Sequence, residues 1–292
     1  MLRLRLFPVC AVLLVAMGGP ALAESGKTVP QTHAGESHRI TVPALSDALH
    51  IGEVIEVMRL EGLDYGRQME SELFPGVGGA DWRRIVALIY DAQTMRRRFD
   101  ATLEAELGAD EATKAATMAF FDSERGRRIL GLEVEARRSL LDSAVEDAAR
   151  LRVEEMEARN DARLDLLRRF AEANDLIESN VLGALNANLA FFQGMAEVGG
   201  LSEEMTEDQM LRDVWAQEDD IRQETADWLY PYLALSYGPL GDEDLEDYLA
   251  FSQTPAGQRL NVALFAAFDS VFTAISRDLG RAAARQMMGK DI

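Results

Sequence analysis

The chain has 292 residues, a formal net charge of −20, one cysteine and 48% hydrophobic side chains. That length is ample for a buried core, and a single cysteine excludes an intramolecular disulfide framework. So acidic a surface repels the phosphates of nucleic acids and anionic lipids, which excludes nucleic-acid binding as a main role.

Residues 1–23 read as a secretory signal peptide. Arg3 and Arg5 supply its positive start, Leu6 to Met17 its apolar core, and Ala21-Leu22-Ala23 a small-x-small cleavage site. The apolar run is shorter than the ~20 residues that cross a bilayer. Cys10 lies inside it, where it does not suit a lipoprotein anchor. Cleavage before Glu24 leaves 292 − 23 = 269 residues, removes the cysteine and takes the charge from −20 to −22. The expected location is the periplasm, with secretion as the alternative, and no membrane span is expected after cleavage. Residues 24–43 are polar, contain Pro30 and Pro43 and show no periodicity, so they read as a disordered tether. His33 and His38 lie there, and no metal is expected on them.

From Ser46 the pattern becomes helical. Ala48, Ile51, Ile55, Met58 and Gly62 follow the three-four spacing of a buried stripe. Phe74-Pro75-Gly76-Val77-Gly78-Gly79 is a loop. A helix over 81–107 follows, with Trp82, Ile85, Ile89, Met95, Phe99 and Leu103 as buried candidates, and Arg96-Arg97-Arg98 lie along its solvated side. A short helix over 110–121 leads to one predicted as continuous from 126 to about 158, because no proline interrupts it. Asn160-Asp161 and Asn174-Asp175 are the next breaks. Helices over 206–230, ended or kinked at Pro231, and 242–252 come next. An aromatic loop runs from Tyr230 to Pro239. The last helix, from Pro255 to about Met288, carries Leu260, Leu264, Phe268, Val271, Phe272, Ile275 and Leu279 on its apolar stripe. Alternating strand patterns are absent and helix-favouring residues dominate. The expected fold is all-α, a helical bundle with long helices and no sheet.

Two stretches suggest that this bundle contains two related helical repeats, over 44–159 and 160–292. In Phe251-Ser252-Gln253-Thr254-Pro255-Ala256-Gly257-Gln258-Arg259, Thr254 caps a helix whose first residue is Pro255. Gly257, costly in a helix by roughly 1 kcal/mol, implies close approach of the helix bearing Phe251. Upstream, Phe120, Ser123, Gly126 and Arg128 take the matching places, 131 residues earlier. Ile55-Glu56 echoes Ile177-Glu178 at an offset of 122. Phe-x-x-Thr-Pro-x-Gly-x-Arg, after the acidic run Asp242 to Glu246, resembles the domain of unknown function 2059 family, best over 242–288 and more weakly over 111–158. The resemblance implies a secreted or periplasmic bacterial helical protein and carries no catalytic residue.

No nucleophile–base set, His-Glu-x-x-His or phosphate-binding glycine loop is present. His50 and Glu53 form a His-x-x-Glu pair, too few ligands for a di-iron bundle. Glu203-Glu204, Asp219-Asp220 and Asp242-Glu243-Asp244 read as solvated faces and helix starts. The expectation is a non-enzymatic module, without cofactor or metal, that binds a protein partner or itself. The alternatives are a carrier of an apolar small molecule or lipid in an inter-repeat groove and, more remotely, a carboxylate-based envelope hydrolase.

Overall fold

A computed structural model describes residues 39–202 and 205–289. The signal-peptide reading, Cys10, His33, His38, Glu203-Glu204 and most of the tether lie outside the described residues.

The helices are α1 (Val42–Ala48), α2 (Ile51–Leu73), α3 (Gly79–Ile89), α4 (Ala92–Leu107), α5 (Glu111–Phe121), α6 (Glu124–Ser139) and α7 (Ser143–Ala158), then α8 (Ala162–Ala173), α9 (Leu176–Glu197), α10 (Glu207–Trp215), α11 (Glu218–Tyr237), α12 (Asp242–Ser252) and α13 (Pro255–Met287). No strand occurs among the described residues. Side chains of Thr41, Asp91, Asp110, Ser123, Asp142, Asp161, Thr206 and Thr254 each accept a free N–H of the helix that follows. Eight starts thus share one device, a short oxygen-bearing side chain placed before an apolar-periodic segment.

α13 is the central element. At 33 residues it spans about 50 Å, and it packs along α9, α4 and α5. Its predicted stripe, Leu260 through Leu279, is buried throughout. The crossing with α9 is close enough to need glycine on both sides. A Cβ on Gly194 would lie 2.1 Å from the Arg277 carbonyl oxygen, and one on Gly280 would lie 2.1 Å from that of Phe191. The remaining helices except α10 complete one apolar core running from Val42 to Ala284, and Val214 of α10 packs in a small separate cluster with Val181 and Leu185 of α9.

Several expectations need correction. Helix 81–107 is two helices, because the Asp91 carboxylate accepts from the Thr94 N–H at 2.9 Å and starts α4. The continuous helix over 126–158 breaks at Leu140–Asp142, where Asp142 caps α7 through the Ala144 N–H at 2.9 Å. That break lets α6 and α7 both lie on α11. The helix over 206–230 is likewise divided, into α10 and α11. Pro231 does not end α11. The helix continues to Tyr237, and the supposed aromatic loop is its last two turns, with Tyr232 and Tyr237 fully buried. Packing of α11 on α6, α7 and α9 outweighs the one hydrogen bond that proline removes. The tether ends earlier than residue 43, since Pro43 sits at the start of α1. Among the stripe residues, Ile85 and Ile89 are half-buried while their neighbours Val86 and Tyr90 are buried.

Candidate functional site

Three places carry polar or aromatic side chains beyond plain core packing. The first joins the two predicted corners. Ser123 Oγ accepts from the Gly126 N–H at 2.9 Å and donates to the Phe120 carbonyl at 2.6 Å. Thr254 Oγ1 accepts from Gly257 at 3.0 Å and donates to Phe251 at 2.7 Å. The two corners therefore share one hydrogen-bond pattern. A Cβ on Gly126 would sit 2.3 Å from the Phe120 carbonyl oxygen, which explains that glycine. The corners also meet: the rings of Phe120 and Phe251 stack at 4.2 Å with 13° between planes. Beside them a shallow apolar groove is lined by Ala112, Ala116, Ala119, Pro255 and Ala256, with Asp110 and Arg259 among the polar groups at its edge.

The paired arginines bond to protein carbonyls and carboxylates. Arg128 donates to the Pro239 carbonyl at 2.7 Å, just past α11, and approaches Asp244 at 3.8 Å. Arg259 donates to the Glu106 carbonyl in the last turn of α4 and to the Glu106 carboxylate at 2.9 Å. Each arginine of one corner thus bonds a carbonyl oxygen at or just past the end of the helix that comes before the other corner's first helix. Arg259 works as a C-cap of α4, and Arg128 holds the turn that follows α11.

The second place was not anticipated. Glu133 on α6 is 3% exposed. Its Oε1 accepts from Tyr237 Oη at 2.7 Å and Tyr248 Oη at 3.3 Å, and Tyr232 Oη donates to the Glu133 carbonyl at 3.3 Å. Oε2 has no hydrogen-bond partner among the described residues. Burial pushes the Glu133 carboxyl up to about 7, against the pull of the two tyrosine hydrogen bonds. The same burial, with Glu133 beside them, raises Tyr237 and Tyr248 well above the ordinary phenol range. One turn on, Arg137 forms a two-pronged pair with Glu61 of α2, at 3.0 and 2.8 Å. The sequence carried a signal: Leu130, Glu133, Val134 and Arg137 sit at i, i+3, i+4 and i+7, so two charges occupy an otherwise apolar stripe.

The third place is a cleft of about 230 Å³ between α9 and α13. Its walls are Leu182, Gly183, Phe265, Ala266 and Phe272, and its polar groups are Ser179, Asn180, Asn186 and Asp269. Gly183 opens it: a Cβ there would meet only Asp269 Oδ1, at 3.9 Å. Asn186 Nδ2 donates to Asp269 Oδ1 at 3.1 Å. Burial raises the Asp269 carboxyl above its ordinary range, and the Asn186 hydrogen bond opposes that rise. None of these residues stands out by sequence pattern, because three-dimensional proximity of two helices creates the cleft.

The remaining residues singled out by sequence are dispersed. His50 starts α2 in a left-handed conformation with Nδ1 3.8 Å from Glu53. Arg96 pairs with Asp47 and Asp100, each at 2.8 Å. Among the described residues no group of three or more His, Cys, Asp or Glu side chains is placed to hold a metal. By length and composition alone α13 could cross a membrane, but more than half of that stretch is buried inside the bundle. No family model matches the chain, and comparisons with curated proteins and with solved structures find no match.

Proposed function

We propose that this is an exported, non-enzymatic helical binding module whose ligand site is the α9–α13 cleft. The observation that carries the reading is the cleft itself. It combines apolar walls with four polar side chains and a glycine whose missing side chain leaves it open, the mixed lining of small-molecule sites. The interior between the two corner-bearing sets of helices is packed, so a ligand groove there is less suited than one against α13. Export rests on the reading of residues 1–23.

Two related repeats belong to the same proposal. Support comes from the matched corners and from parallel packing: α13 lies on α4 as α6 and α7 lie on α11. Likewise α1 meets α2, α4 and α5, and α8 meets α9, α11 and α12. The left-handed starts of α2 and α9, His50 and Asp175, stand 175 − 50 = 125 residues apart.

The test is native mass spectrometry of protein purified gently from cells expressing all 292 residues. A bound small molecule is expected on the wild-type chain and is lost in Gly183→Leu, which fills the mouth. Repeatedly ligand-free wild-type spectra overturn the reading. A second reading, docking of a protein partner or of another copy, is favoured by the groove beside the Phe120–Phe251 stack. It predicts that association is lost in Ala116→Asp and kept in Gly183→Leu.

A further inference from the structure

On the reading that the α9–α13 cleft binds a ligand, its polar groups indicate which chemistry it takes. Asp269 is half-buried among Phe265, Ala266 and Phe272, and among the described residues no arginine, lysine or histidine forms an ion pair with it. The nearby arginines of α13 are committed elsewhere. Arg277 bonds Gln193 at 2.6 Å and Glu197 at 3.2 Å, and Arg281 bonds Asp278 at 2.7 Å as well as Glu197. Asn180, 2% exposed, lines the same cleft. Its Nδ2 donates to the Leu176 carbonyl at 2.6 Å, which leaves Oδ1 as an acceptor with no donor. The cleft thus offers one carboxylate without a counter-charge among the described residues, set in apolar walls, while the orphan amide oxygen is buried out of reach of solvent. A partly buried charge without a counter-charge is costly. An anion would meet Asp269 uncompensated, and a plain hydrocarbon would leave its carboxylate with only the Asn186 hydrogen bond. A cationic donor on an apolar body matches both the carboxylate and the walls.

We infer that the cleft binds small organic cations. Their primary ammonium donates to Asp269, and their hydrocarbon lies against Leu182, Phe265 and Phe272. The acidic surface of the chain raises the local concentration of such cations.

Two probes of equal apolar length separate charge from hydrophobicity: n-hexylammonium chloride and 1-hexanol. Each is titrated into the purified chain and followed by amide NMR shifts over 179–186 and 265–272. Hexylammonium is expected to saturate these shifts with roughly tenfold tighter binding than hexanol, since a partly desolvated charge pair is worth about that factor. Asp269→Asn, which retains an oxygen for Asn186, should erase the difference, and Gly183→Leu should abolish both titrations. Thermal melts confirm that each variant is folded. Equal binding of the two probes, unchanged by Asp269→Asn, overturns the cation inference while leaving the cleft as a binding site. Hexylammonium shifts that survive Gly183→Leu mark diffuse attraction to the acidic surface and also overturn it. Absence of saturable shifts with either probe overturns the cleft reading itself.

Discussion

Glu133 sets a pH dependence opposite to that of most carboxylates. Its folded pKa is raised from 4.5 to about 7, so the neutral acid is the form the fold prefers. The associated stability is fully present below the unfolded value near 4.5 and is lost as pH rises through about 7. The shift corresponds to about 3 kcal/mol at alkaline pH. Asp91 and Asp110, held low by hydrogen bonds from Thr94 and Thr113, act in the other direction at lower pH. Comparison with a variant isolates the one group. Glu133→Gln keeps an oxygen for Tyr237 and Tyr248 and cannot ionise. It should match the wild type at pH 5 and exceed it by about 2–3 kcal/mol at pH 8, as read from urea melts at the two pH values. An unchanged difference between pH 5 and pH 8 would show that Glu133 does not titrate alone. Legibility differs at this scale. The interrupted stripe Leu130-Glu133-Val134-Arg137 marks a buried charge in the sequence, but the three tyrosines that receive it come from helices about a hundred residues away.

The helices were legible where local chemistry decides them, and illegible where packing does. Ser123, Thr254 and Pro255 announce the starts of α6 and α13, and both start where the hydroxyl caps predict. The Leu140–Asp142 break depends on packing against α11, and the helical Pro231 on α6, α7 and α9, distant helices that neither segment can anticipate. Glycine shows the same contrast between two helix interiors. Gly131 in α6 is exposed, and a Cβ there meets nothing within 4 Å. Gly280 in α13 faces the Phe191 backbone, where a Cβ would intrude to 2.1 Å. Helix propensity alone favours alanine at both by about 0.5–1 kcal/mol. Gly131→Ala should therefore stabilise by about that amount. Gly280→Ala should destabilise by about 2 kcal/mol, because a carbonyl on a packed helix cannot yield as a flexible side chain can. Chemical denaturation of the two variants checks the sign of each. Gain of stability in both would mean that the α9–α13 crossing is looser than its backbone separation indicates.

At the scale of the molecule, the two corner-bearing sets of helices complete each other. Arg128 of the first corner holds the turn after α11, and Arg259 of the second caps the end of α4. Phe99 of α4 lies against Phe268 of α13, ring centroids 4.7 Å apart. Cutting the chain between α7 and α8 would expose Phe99, Leu103 and Leu107, all fully buried, on one side and Phe268 and Leu264 on the other. Exposed aromatic and leucine faces of that extent cost about 1.5–3 kcal/mol each, more than a typical domain's whole margin once several are lost. Two conclusions follow for unfolding. Residues 39–159 alone should show no cooperative melt and should bind a hydrophobic dye. The whole chain should lose circular dichroism and tryptophan fluorescence in one coincident transition, and Arg128→Ala and Arg259→Ala should each move that single transition down by a few degrees. Two separated transitions, with one arginine variant shifting only one of them, would mean that the sets are independent domains in contact. The swapped arginine contacts would then be surface bonds between neighbours, and the shared core could not be what holds the bundle together.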